Sequence, residues 1–318
     1  MTIIATGFNT GDVAGSISTF AARLAHLAEI GCTGAEISAT GLDAVVACRM
    51  IPAQVAAVRA AMAQHDLAYS MHAPIAINLM DEAHRELHRR AALVSMELAA
   101  EIGARVVVLH PGRCTPLDWT NRRAALLVFE RELLAEVADR AQALGVRIAY
   151  ENISPNPRVI DGLETSYSLD PAQLADQLDA LAHPAVMACL DISHAQQGAG
   201  LWGFDMLAAC LRLAPHIGHI HYSDSTGWPA TIASRHMGEA HFIGLGDMHA
   251  PPGFGLVDFA ALAQNLTVLP DTRIVIEIKA NFKAHSEAMT LAAAQAFAAT
   301  LNARQSGTAA PQPAEAFA

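Results

Sequence analysis

The sequence is poor in basic residues, since 20 lysines and arginines stand against 31 aspartates and glutamates in 318 residues. The formal net charge is −11 at pH 7. Proteins that grip DNA or another polyanion normally do so through clustered positive charge. Apolar residues make up 53% of the chain, which predicts a large packed core. The composition therefore excludes polyanion binding driven by net charge, and it also excludes a disordered protein.

Long apolar runs and paired cysteines are also missing. No apolar run approaches the roughly 18 to 20 residues of a membrane helix, and the start MTIIATGF lacks the basic and apolar regions of a signal peptide. We therefore expect a cytoplasmic protein without a membrane partner. The cysteines are odd in number and form no CxxC pair, which argues against a disulfide framework and a thiolate zinc site. They are expected to be small core residues: Cys32, Cys48, Cys114, Cys189 and Cys210.

Short β-like runs alternate eight times with longer amphipathic, Ala-rich stretches. The predicted strands cover residues 2–7, 35–38, 68–72, 105–110, 147–151, 185–191, 217–221 and 273–278. The predicted helices cover residues 16–30, 51–64, 81–102, 119–144, 171–182, 202–214, 257–267 and 284–303. Eight such units predict a single α/β domain, a closed (β/α)8 TIM barrel over residues 1–305, with a doubly wound open sheet as the alternative. The Ala- and Pro-rich segment 306–318 is expected to be a disordered tail.

The predicted loops that follow strands are much longer than those that precede them. Roughly 18 residues follow Glu151 and about 35 follow His221, whereas helix-to-strand links span only about two or three residues. In TIM barrels the active site lies at the strand-to-helix face. The long loops therefore predict the functional face of the barrel.

Residues of the metal-ligand type stand at the ends of six predicted strands. They are His72, His110, Glu151, Asp191, His221 and Glu277. Inward positions at the strand ends of a barrel converge on one mouth, where these side chains would repel one another or stay unsatisfied without a bound metal or substrate. Imidazole and carboxylate ligands suit Zn²⁺, Mn²⁺ or Fe²⁺. The pattern therefore predicts a divalent metal site, with zinc or manganese as the expected ion.

Several sequence segments resemble those of the xylose isomerase-like TIM barrels, a group that includes sugar phosphate isomerases and epimerases and also endonuclease IV. The segments are MHAPIAINL (71–79), LHPG (109–112), YEN (150–152), CLDISH (189–194), HIHYSD (219–224), GDMHAPPGFGLVDF (246–259) and IEIK (276–279). The run D-x-H-x-P-x-G-x-G from Asp247 to Gly255, in company with D-x-x-H from Asp191 to His194, is specific to this group. The resemblance covers residues 1–303 and implies the same barrel.

The resemblance also implies between one and three metal ions. In the epimerases of the group a single ion is held by the residues that match Glu151, Asp191, His221 and Glu277. Endonuclease IV also uses the residues that match His72, His110, His194, Asp247 and His249. This chain has all nine residues, so Glu151 could bridge two ions while His194, Asp247 and His249 form an outer position. Alternatively, His194 binds a substrate hydroxyl and the loop residues only close the site.

Several functions fit these ligands. The preferred one is a sugar or sugar phosphate isomerase or epimerase that acts on a small ketose or polyol, with Glu151 and Glu277 as acid and base around an enediolate. Substrate contacts are expected from His194, Lys279 and Trp228. The alternatives are dehydration of a polyol, phosphodiester cleavage as in endonuclease IV, and ligand binding without catalysis. We expect a small-molecule partner and no nucleic acid, and a homo-oligomer is left open.

Overall fold

The structure is a computed structural model that describes residues 2–232 and 237–307. The tail predicted for residues 306–318 lies outside the described residues from residue 308 onwards. No helix in the described part of the chain combines the length and the hydrophobicity needed to cross a membrane.

The strands build a closed barrel and one small hairpin. In chain order they are β1 (Ile3–Asn9), β2 (Gly34–Ser38), β3 (Val45–Val46), β4 (Arg49–Met50), β5 (Ala68–His72), β6 (Val106–Leu109), β7 (Arg147–Glu151), β8 (Val186–Asp191), β9 (Ile217–Tyr222) and β10 (Thr272–Ile276). Strands β3 and β4 form the antiparallel hairpin, and the other eight form a closed parallel barrel in the order β1-β10-β9-β8-β7-β6-β5-β2. The predicted (β/α)8 barrel is therefore confirmed, and the open sheet is excluded.

Helices follow the strands along the chain. They are α1 (Ile17–Glu29), α2 (Pro52–Met62), α3 (Arg85–Ile102), α4 (Pro116–Ala143), α5 (Pro157–Ile160), α6 (Pro171–Leu181), α7 (Ile192–Trp202), α8 (Met206–Leu213), α9 (Met237–Ile243), α10 (Phe259–Asn265) and α11 (Ala280–Ser306). Side-chain caps fix several starts. The hydroxyl of Ser16 accepts the N–H of Thr19 before α1, and the hydroxyl of Thr115 accepts the N–H of Asp118 before α4.

Helix α7 was missed by the sequence prediction, which began the next helix at residue 202. The segment ISHAQQGAG is rich in polar and small residues and has no clear apolar period. The segment nevertheless forms a helix that packs closely: a Cβ at Gly198 would collide with the carbonyl oxygen of Leu169. The carboxylate of Asp191 caps the helix by accepting the N–H of His194. The strand β8 thus passes directly into a helix at a predicted ligand.

The described residues divide into two compact units, one within residues 1–6, 152–175 and 189–318 and the other within residues 7–151 and 176–188. Each unit has its own apolar packing. In the first, the ring of Tyr222 lies 4.7 Å from that of Phe259 and 5.4 Å from that of Phe297. In the second, all four residues of β6 are buried, as are the core-facing leucines of α4.

Candidate metal centre

Asp191, His221 and Glu277 form the first group of candidate ligands, at the ends of β8, β9 and β10. The Nδ1 atom of His221 lies 3.3 Å from Oε2 of Glu277 and 3.7 Å from Oδ2 of Asp191. Asp191 and His221 are fully buried. Oδ1 of Asp191 accepts the N–H of His194, but Oδ2 has no hydrogen-bond partner among the described residues. Burial of a carboxylate oxygen without a hydrogen-bond partner costs free energy, so this group of ligand atoms suits a bound cation.

His72, His110 and Glu151 form the second group, at the ends of β5, β6 and β7. The Nε2 atoms of His72 and His110 lie 3.3 and 3.1 Å from the same oxygen, Oε2 of Glu151. Glu151 is buried, and the two histidines are mostly buried. Each residue offers a ligand atom within 4.8 Å of the other two, as a shared ion would require.

Asp191, His194, Asp247 and His249 form a third group, which we call the outer group. Ligand atoms of Asp191, His194 and His249 lie within 4.8 Å of one another. Oδ1 of Asp247 lies 2.9 Å from Nε2 of His249 and 3.4 Å from Nε2 of His194. The structure therefore brings together His194, Asp247 and His249, the three residues for which the family resemblance implied an outer position.

Three of these histidines are oriented by main-chain carbonyl groups. The Nδ1 atom of His72 lies 2.7 Å from the main-chain oxygen of Ala73, and that of His249 lies 2.8 Å from the main-chain oxygen of Glu277. The corresponding distance from His194 to the oxygen of Asn152 is 3.0 Å. A carbonyl oxygen only accepts, so we assign a proton to Nδ1 of each ring, and Nε2 then faces a carboxylate oxygen. Such a pair needs a proton or a cation between its members, and metal-bound histidines are oriented in this way.

The electrostatics of the outer group agree with this geometry. Burial alone would raise the pKa of Asp247, but the charge of His249 and the hydrogen bonds from His194 and His249 hold it well below its ordinary value. Burial alone would lower the pKa of His249, but the charge and hydrogen bond of Asp247 outweigh it, so this pKa is raised. Asp247 is therefore a carboxylate anion that attracts positive charge.

A model of the xylose isomerase-like TIM barrel family matches residues 24–299. The chain belongs to this family. The resemblance that the sequence motifs indicated is therefore confirmed, and the closed barrel with ligand-type residues at its strand ends agrees with it.

Proteins with known structures share the family fold. A D-tagatose 3-epimerase-like protein superposes with a TM-score of 0.68 at 19% identity, over 95% of this chain and 100% of the other. The IOLI protein with a bound zinc atom superposes with a TM-score of 0.66 at 16% identity, over 95% and 99%. At these identities the likeness concerns the fold.

Curated relatives match a smaller part of the chain. An uncharacterized protein of Methanocaldococcus jannaschii is 26% identical over 168 residues, which are 52% of this chain and 54% of the relative. The chain thus spans about half the length of this relative.

The two further residues predicted to contact substrate differ in their surroundings. Lys279 directly precedes α11, and its Nζ lies 3.0 Å from Oδ2 of Asp247. Trp228 lies on the loop after β9 and is 52% exposed. Its main-chain oxygen accepts the N–H of Gly246, next to Asp247. Lys279 therefore belongs with the outer group, while Trp228 offers an exposed aromatic face.

Asp224 is a site residue that the sequence prediction missed. Its carboxylate is buried and accepts four main-chain N–H groups, those of Ser225, Gly253, Gly255 and Val257. Its own main chain pairs with Ala250 in both directions. A Cβ at Gly255 would fall on the Asp224 carboxylate and on the main chain of Ser225. Asp224 thus anchors the loop that follows Asp247 and His249, which explains the G-x-G part of the motif.

Glu130 of α4 was also missed. Its buried carboxylate accepts the N–H of Gly112 and the hydroxyl of Tyr150 on Oε1, both at 2.6 Å, and the amide of Gln177 on Oε2 at 2.9 Å. Gly112 belongs to the LHPG segment after His110, and Tyr150 precedes Glu151. The position of Glu130 on the buried face of a predicted helix was the only available signal. Its role is to support two ligand-bearing segments of the second group.

Cys189 lies in the interior with two histidines of β9. Cys189, His219 and His221 each offer a ligand atom within 4.8 Å of the others, and all three are buried. The sequence argued against a thiolate site because no CxxC pair occurs. Here the sulfur and the imidazoles come from different strands, a proximity that spacing along the chain does not reveal.

Proposed function

We propose that the protein is a divalent-metal-dependent isomerase or epimerase that acts on a small ketose or related polyol. The observation that carries the proposal is the buried Oδ2 of Asp191, which has no donor among the described residues and lies beside His221. A bound cation would compensate the buried negative charge of this oxygen, and it would lie at the strand ends, where barrel enzymes bind substrate. Proteins of similar fold include a D-tagatose 3-epimerase-like protein and the zinc-bound IOLI protein, which supports this choice.

The proposed ligands of the principal ion are Glu151, Asp191, His221 and Glu277. They stand at the ends of β7, β8, β9 and β10, which are consecutive strands in the barrel. His72 and His110 are proposed ligands of a second ion that shares Glu151. Imidazole nitrogen with carboxylate oxygen favours Zn²⁺ or Mn²⁺ over Ca²⁺.

The proposed chemistry is proton transfer next to a carbonyl group. A bound ion would supply Lewis acidity at vicinal substrate oxygens. One of the two glutamates, Glu151 or Glu277, would remove the proton from the carbon beside the carbonyl, which gives an enediolate. The other glutamate would deliver a proton to the opposite face. Burial of Glu151 and the low exposure of Glu277 would exclude bulk water during the transfer.

A second candidate function is metal-dependent phosphodiester cleavage. The outer group favours it, because Asp191, His194 and His249 offer ligand atoms within 4.8 Å of one another beside Asp247. The net charge of −11 argues against it, since a nucleic-acid duplex needs clustered basic residues. Dehydration of a polyol would use the same ligands as the epimerase reaction.

The test is exchange of substrate hydrogen with solvent. The zinc- or manganese-reconstituted protein is incubated in D2O with a panel of ketopentoses and ketohexoses and their phosphates, and proton NMR follows the hydrogens beside the carbonyl. We expect one sugar to incorporate deuterium and to yield its epimer or isomer. The matched control is Glu277→Gln with the same metal content, which should yield no epimer or isomer, because product formation needs both glutamates. Absence of exchange and of product for the whole panel contradicts the proposal.

A further inference from the structure

Lys279 holds its ammonium group against the outer group. Its Nζ lies 3.0 Å from Oδ2 of Asp247, and its side chain is 30% exposed. The main-chain N–H of Lys279 donates to the carbonyl oxygen of His249 at 3.1 Å. This contact fixes the start of the lysine side chain relative to His249, so the ammonium reaches Asp247 from a defined position.

Both oxygens of Asp247 are already engaged. Oδ1 accepts the amide N–H of the fully buried Gln197 at 3.0 Å and lies 2.9 Å from Nε2 of His249. Oδ2 accepts from Lys279. A carboxylate binds an ion through a lone pair directed at it, and on Oδ2 the ammonium occupies such a direction. An ion bound through this oxygen would have to use the other lone pair and would then lie directly beside the ammonium group of Lys279.

The charges of the outer group also disfavour an ion at Asp247. The outer group contains two carboxylates, Asp191 and Asp247, and Lys279 brings one positive charge to them. A divalent ion at Asp247 would place two cations side by side next to the buried His194 and His249, and in this partly exposed site like charges repel more strongly than in bulk water.

We infer that the ammonium group of Lys279 keeps the outer group free of metal. The protein is thereby limited to the inner ions, which are the principal ion and the second ion proposed above. The inference rests on the proposed function, which assigns the inner ions to the strand-end ligands. Lys279 would then determine the specificity of the reaction through the number of bound ions. It would prevent a third ion from binding to the outer group and leave only the ions proposed for sugar chemistry.

Metal stoichiometry tests this inference without an activity assay. Wild type, Lys279→Met and Lys279→Arg are dialysed to equilibrium against buffered zinc, and zinc per chain is measured by mass spectrometry. Lys279→Met removes the charge and keeps the length of the side chain, so we expect one more zinc ion per chain than in wild type. Lys279→Arg keeps the charge and should match wild type. Adding Asp247→Asn to Lys279→Met should abolish the additional ion.

Equal zinc content in wild type and in Lys279→Met overturns the inference, and so does an additional ion in Lys279→Arg. If Lys279→Met does not fold, Lys279→Gln carries the same expectation with a polar side chain. Wild type that binds no zinc and no manganese contradicts the proposed function. Wild type and Lys279→Met with the same non-zero content contradict the inference alone.

Discussion

The side chain of Asn152 forms two hydrogen bonds with the main chain of Asp191. The N–H of Asp191 donates to Oδ1 of Asn152, and Nδ2 of Asn152 donates to the carbonyl oxygen of Asp191, both at 2.8 Å. Both residues are fully buried. These two hydrogen bonds fix the backbone of Asp191, a proposed metal ligand. Asn152 itself directly follows Glu151, a second proposed ligand.

Replacement of Asn152 by alanine should therefore weaken the fold and the metal site together. Asn152→Ala leaves a buried N–H and a buried carbonyl group of Asp191 without partners, which should lower the free energy of unfolding by about 2 to 4 kcal/mol. Metal affinity should fall about 10- to 100-fold, as for other residues that orient ligands. Urea unfolding and zinc titration measure the two effects. The exposed Asn265→Ala is the control and should change stability by less than about 1 kcal/mol; equal effects of the two substitutions contradict the expected role.

Glu151→Gln and Glu277→Gln should each abolish turnover. Each substitution keeps the size of the side chain but removes a proton acceptor and a charged ligand, so the rate should fall by at least about 100-fold. The comparison is made at matched metal occupancy on the substrate found by deuterium exchange. Glu101→Gln, on the surface of α3, is the control and should keep the wild-type rate. Near-native turnover in either active-site variant shows that the paired acid and base roles are wrong.

Removal of metal should destabilise the protein. The buried carboxylates lose their counter-charge, and an ion at about 100 times its dissociation constant contributes about 2.7 kcal/mol. The melting temperature after chelation should therefore lie roughly 5 °C or more below that of the zinc-loaded protein. Differential scanning fluorimetry measures the shift, and Mg²⁺ serves as the control ion, with a smaller effect expected. An unchanged melting temperature after verified removal of all metal contradicts a resident ion.

Asp224→Asn should loosen the loop that follows Asp247 and His249. An asparagine retains one acceptor oxygen but turns an NH2 group toward main-chain N–H donors such as those of Gly253 and Gly255. We expect a loss of about 1 to 3 kcal/mol in the free energy of unfolding, measured in urea. The exposed Asp161→Asn is the matched control and should be close to neutral. A neutral Asp224→Asn would show that the loop does not depend on this carboxylate.

The metal-loaded protein should not cleave a DNA duplex that contains an abasic site. Several arginines are already paired with glutamates, as in Arg89–Glu136 and Arg140–Glu97, which further reduces the charge available for phosphates. A gel assay at low salt measures incision, and deuterium exchange on the same batch verifies that the protein is active. Efficient metal-dependent incision would replace the proposed sugar chemistry by phosphodiester cleavage.

The barrel could be predicted because its elements carry regular local signals. The strands at residues 68–72 and 147–151 were predicted at their observed positions, since apolar residues with flanking helical periods define them. Helix α7 could not be predicted in this way, because its close packing through Gly198 depends on a distant carbonyl group.

The same distinction applies to the candidate site. His72, Asp191 and His221 could be predicted from their places at strand ends, because strand direction and alternation determine where they point. Asp224 and Glu130 act through contacts between segments far apart in the sequence, which no local pattern encodes.

The anchored loop after Asp247 also shows which of its positions can be varied and which cannot. Phe254 and Leu256 are 65% and 64% exposed, and they alternate with glycine N–H groups held by Asp224. For protein engineering, Gly253 and Gly255 are positions to keep, whereas Phe254 and Leu256 are positions that can be varied. Libraries at Phe254 and Leu256 can alter the apolar surface that the loop presents, whereas Gly255 must stay constant because a side chain there would displace the Asp224 carboxylate.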